Sequence, residues 1–139
     1  MRIFHIIIII FFVFDGCKKD DNSPTEPAQK PFDLTVLSGK WKGTFKNIVT
    51  QTADFTIDEQ GNLTGTAANT SVTGKWTIDN TGKVTGSGVW NFEIYSKWYD
   101  AACTWDLQMN KEKNQLTGTW DIQVPYSTLR DMQTDLSKQ

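Results

Sequence analysis

Leu63-Thr64-Gly65-Thr66-Ala67-Ala68-Asn69-Thr70-Ser71-Val72-Thr73-Gly74-Lys75-Trp76 decides the fold. Apolar residues and glycines alternate with Thr, Ser and Lys at period two, on both sides of a short Ala-Asn break. That is one buried and one solvated face on each of two strands joined by a tight turn. The same unit, a large apolar residue with Gly two positions later, recurs along the chain. It appears as Trp41-x-Gly43-x-Phe45, Val84-x-Gly86 and Leu116-x-Gly118-x-Trp120. Gly on an inner face lets a strand bend sharply and leaves room for a bulky neighbour, which closure of a small barrel requires. No helical pattern follows any of these glycines, so the motif is architectural and not a phosphate loop.

Working outward, strands are predicted near 40–47, 52–58, 62–68, 71–79, 83–95, 98–109 and 114–124, with a weaker eighth near 126–132. Leu129, Met132 and Leu136 would also suit a short helix there. Asp58-Glu59-Gln60-Gly61-Asn62, Asp79-Asn80-Thr81-Gly82 and Asn110-Lys111-Glu112-Lys113-Asn114 read as turns. The expected class is all-β, a small up-and-down antiparallel barrel of about eight strands spanning residues 32–139. Phe45, Phe55, Trp76, Trp90, Phe92, Ile94, Trp105, Trp120 and Ile122 fall on inner faces. Gly43, Gly65, Gly74, Gly86, Gly88, Ala101 and Gly118 would empty the same interior. A barrel of this size either fills with side chains or holds one small ligand.

Turns of a meander alternate between its two ends. The charged turns share one end with Trp41 and Arg130, whereas the other end gathers Ile48, Val49, Tyr95, Trp98, Tyr99, Pro125 and Tyr126. Apolar and aromatic groups at one rim read as a pocket mouth or a docking surface. The candidate ligand-binding residues are Ile48, Val49, Phe92, Tyr95, Trp98, Tyr99 and Tyr126. The competing reading is that these rings plug a barrel that lacks a lid. A void of about 300 Å3 or more between Ile48, Tyr95 and Tyr126 would favour a ligand; a packed interior would favour docking.

The start of the chain carries an address. Arg2 precedes the apolar run Ile6 to Phe14, which is too short to span a bilayer, since that takes about 20 residues. It reads as an export signal over residues 1–16. Residues 17–31, with Pro24, Pro27 and Pro31 among polar residues, read as a disordered tether. The junction Phe14-Asp15-Gly16-Cys17 resembles a bacterial lipobox, although Asp15 departs from the small uncharged residue usual there. Lys18-Lys19-Asp20-Asp21 resembles the charged motif after the lipidated Cys of surface lipoproteins of Bacteroidetes. The resemblance implies lipidation of Cys17, with palmitate-type acyl chains, and an outer-membrane or cell-surface location. An ordinary signal peptide with an incidental Cys is the alternative.

Phe32-Asp33-Leu34-Thr35-Val36-Leu37-Ser38-Gly39-Lys40-Trp41 resembles the opening of lipocalins and related calycins. There a turn of helix leads to a Gly-x-Trp motif at the start of the first strand. The resemblance implies structural roles for Gly39 and Trp41, and an Arg, here Arg130, packed across that Trp. Gly43 stands where avidins carry a biotin-contacting Asn, so the likeness does not extend to biotin.

Little catalytic chemistry is available. The only His, His5, lies in the expected signal segment, which removes the commonest general base and metal ligand from the domain. Asp100, Asp106 and Asp121 alternate with apolar residues and should face solvent, so no carboxylate pair converges. Cys103 should lie inward as an inert thiol. The formal charge of −2 lacks the basic stripe that a nucleic-acid partner demands. The expectation is therefore a non-enzymatic, membrane-anchored protein that needs no cofactor and binds a small hydrophobic ligand. The alternative is a solid barrel that docks a protein or glycan through its aromatic rim.

Overall fold

The computed structural model describes residues 31–94, 96–124 and 127–139. The expected signal segment, Cys17 and nearly all of the tether, together with Tyr95, Pro125 and Tyr126, lie outside the described residues. A single turn of helix, α1 (Leu34–Leu37), precedes eight strands: β1 (Gly39–Lys46), β2 (Thr50–Ile57), β3 (Asn62–Ala67), β4 (Thr70–Ile78), β5 (Lys83–Ile94), β6 (Lys97–Met109), β7 (Gln115–Val124) and β8 (Ser127–Lys138). Each pairs antiparallel with the next, and β8 returns to β1, so the sheet is a closed up-and-down barrel.

The alternation read from the sequence fills the barrel. Phe45, Phe55, Trp76, Trp90, Phe92, Trp105, Trp120 and Ile122 are all buried. Of the two outcomes left open by composition, the inner glycines do not hollow the barrel out, because neighbouring strands and rings already occupy the space of a side chain. A Cβ on Gly86 would stand 2.3 Å from Trp76 Cδ1, and one on Gly43 would stand 1.9 Å from the Asp135 carbonyl oxygen. Glycine here allows strands and rings to approach closely.

Three turns at one end share one construction. Asp58 Oδ1 accepts from the amides of Gln60 and Asn62, Asp79 Oδ1 from those of Thr81 and Lys83, and Asn110 Oδ1 from those of Asn114 and Gln115. A carbonyl of each turn accepts from a strand further along the chain: Gly61 from Trp76, Gly82 from Met109, Asn114 from Lys138. Hydrogen bonds from Asn62 to Asp58, and from Thr81 to Asp79, hold both carboxyls below their ordinary range. The segment 31–38 seals the same end. Asp33 caps α1, Leu37 is fully buried, and Trp41 Nε1 donates to the Leu37 carbonyl at 2.7 Å.

Two expectations about β8 need correction. It is a strand that continues past 132 to Lys138, with Met132, Thr134 and Leu136 buried in alternation. The helix-like spacing of Leu129 and Met132 comes from a bulge: the β7–β8 register shifts between Trp120 and Ile122, and Asp131 takes a φ of 53°. Arg130 does not cover Trp41. It lies exposed in an outer hollow with Thr104 and Asp121. The β1–β8 register instead pairs Trp41 with Lys138, whose Nζ lies 5.6 Å from the indole centroid and donates to the Val36 carbonyl at 2.7 Å. Lys138→Ala is therefore expected to lower stability by about 1 kcal/mol, the size of a partly desolvated cation–π contact. Arg130→Ala should stay within roughly 0.5 kcal/mol. Urea unfolding of the two variants checks the contrast.

A candidate binding site at the open end of the barrel

At the end opposite α1 the strands stop without a covering element among the described residues. An apolar depression of about 240 Å3 opens there, floored by Phe45, Trp90, Leu129 and Met132. The β1–β2 turn forms its lip through Asn47, Ile48 and Val49, and Gln51 lines its side. Ile48 is 91% exposed, which is unusual for a large aliphatic group and places it free over the hollow. A second depression of about 230 Å3 lies across Trp90, lined by Ala68, Thr70, Phe92 and Glu93, and shares Gln51 with the first.

Trp90, common to both hollows, is fixed in place. Its Nε1 donates to Thr70 Oγ1 at 2.6 Å, and that hydroxyl donates in turn to the Ala67 carbonyl at 2.8 Å. Beneath the floor the rings continue without interruption. Trp120 lies 4.9 Å from Phe45 and 5.5 Å from Trp90 between centroids. Trp105 stacks on Trp120 at 5.3 Å, and Trp76 follows at 5.5 Å. These are the spacings of packed aromatic pairs. The rings fill the interior below the floor, and each of the two apolar hollows at the mouth falls below the roughly 300 Å3 usual for a ligand pocket.

The candidate residues divide accordingly. Ile48 and Val49 line the first hollow and Phe92 the second. Tyr99 stacks on Phe92 at 6.0 Å. Trp98, 60% exposed and paired with Glu93, lines neither hollow. Tyr95 and Tyr126 lie outside the described residues. Sequence reasoning placed Phe45 and Trp90 on inner faces but not in the site, and it missed Asn47, Gln51, Leu129 and Met132 as site residues. For Leu129 and Met132 the bulge in β8 breaks the alternation that would have placed them on the inner face.

Among the described residues no cluster of His, Cys, Asp or Glu could hold a metal ion, and no helix is long and apolar enough to cross a membrane. Comparison with protein-family models, with curated proteins and with solved structures finds no match to the chain.

Cys103 is buried among the core rings, and burial pushes its thiol from the ordinary 9.0 up to about 11, with Trp120 opposing part of the rise. Because the folded value is the higher one, the associated stability is complete below pH 9.0 and lost as pH rises from there through about 11. The unfolding midpoint should fall more steeply across that window in the wild type than in Cys103→Ala. Parallel slopes would show that the thiol is not desolvated.

Proposed function

We propose that the protein is a membrane-anchored lipoprotein, lipidated at Cys17, whose lipocalin-like barrel binds a small apolar or aromatic molecule at its open end without transforming it. The observation that carries this reading is the apolar hollow over Phe45, Trp90 and Met132, with exposed Ile48 and Val49 at its lip. Its size suits one fused ring system or a short acyl segment, with no room for a long chain threaded down the barrel axis. The chain enters the domain beside α1, where the Pro31 carbonyl meets Lys113 Nζ at 3.5 Å. An anchor at Cys17 would therefore reach the barrel from the side of its closed pole. The absence of His from the domain, and of clustered acids among the described residues, supports binding over catalysis.

One observation favours the alternative of docking a protein or glycan. Trp98 is widely exposed on the outer face of the β5–β6 hairpin, away from either hollow, above a solid interior. Two variants separate the readings. Ile48→Asp combined with Val49→Asp is expected to weaken quenching of Trp90 fluorescence by a panel of lipophiles at least about tenfold, because charge at the lip opposes apolar burial. Trp98→Ala should leave that titration unchanged. If Trp98→Ala alone abolishes binding of a co-purified partner and the lip variant does nothing, docking is the function. Native mass spectrometry of the isolated domain would show the small molecule directly.

A further inference from the structure

The core has a surplus of hydrogen-bond donors. Trp41 and Trp90 satisfy their indole N–H groups on Leu37 and Thr70, but Trp76, Trp105 and Trp120 are buried with no acceptor for theirs. Thr134, the one buried polar residue among those described, already uses its hydroxyl on the Met132 carbonyl. Trp120 lies close enough to Cys103 to temper the thiol, yet a thiol is a poor acceptor. Buried polar groups in folded proteins are nearly always paired, so orphan donors in one column of rings call for an acceptor.

Trp120 is the member of that column nearest the mouth, directly under Phe45 and Trp90. Met132 forms the floor beside them, an unbranched side chain that can change rotamer readily. Resting on the binding reading above, we propose that the mouth selects neutral molecules carrying a hydrogen-bond acceptor, such as a ketone, quinone or ester carbonyl on an apolar body. The carbonyl accepts from the Trp120 indole N–H once Met132 swings aside. A carboxylate is disfavoured, because among the described residues no cationic side chain lines the first hollow, and the raised thiol shows that the core resists negative charge. A plain hydrocarbon fits the hollow but leaves the donor unpaired.

The test uses three probes of nearly one shape: 2-acetylnaphthalene, 2-isopropylnaphthalene and 2-naphthoate. The ketone is expected to bind about tenfold tighter than either of the others, the discrimination one buried hydrogen bond supplies. It should also shift the Trp120 indole proton in a 15N-labelled sample of the wild-type domain. Trp120→Phe should erase the preference while keeping hydrocarbon binding, and the indole shift stands as the readout if that variant folds poorly. Equal affinities for ketone and hydrocarbon, or naphthoate matching the ketone, overturn this inference and leave the mouth as a binding site. Failure of all three to bind overturns both.

Discussion

Closure of the sheet between β1 and β8 is the constraint from which the rest follows. The two strands meet along Trp41 to Lys46, and Gly43 approaches so near the Asp135 carbonyl that no side chain could stand there. A closed sheet has no free edge to pair with another chain, and it has two poles instead. One pole is sealed by α1, by the Trp41–Leu37 hydrogen bond and by Lys138 across the indole. What apolar surface the barrel offers to a partner is thereby gathered at the other.

The filling of the interior decides what that open pole can do. Four tryptophans and three phenylalanines touch one another in a continuous column from Phe92, Trp90 and Phe45 near the mouth to Phe55 and Trp76 within. Rings of this volume opposite glycines give native-like packing, so the two features that could have worked against each other cooperate. The outcome is a barrel of conventional topology whose apolar hollows, among the described residues, lie at a shallow mouth. The shape of that mouth is set by exposed Ile48 and Val49 at the lip, over a floor in which Trp90 is tied to Thr70.

The fold was legible because period-two alternation is a strong signal and the turn residues are chemically explicit. Asp58, Asp79 and Asn110 each write their own turn through side chain to backbone hydrogen bonds. That the three charged turns share one end followed from counting hairpins. Three things were hidden. A bulge at Asp131 disguised the last strand as helix-like spacing, because one extra residue converts a step of two into a step of three. Lys138 replaced Arg130 over Trp41, since register across a closing seam depends on the tilt of the whole barrel and not on local pattern. Composition also could not say whether inner glycines mean room or contact. Only the positions of Trp76 and Asp135 show that they mean contact.

The most direct measurement is a methyl spectrum of the domain labelled at its methionines, recorded as 2-acetylnaphthalene is added. Met132 floors the mouth, whereas Met109 is buried at the sealed pole, where its amide donates to Gly82. Saturable movement of the Met132 methyl with Met109 unmoved is the expected result. Equal movement of both, or of neither, would contradict a barrel that is solid within and receptive only at its mouth.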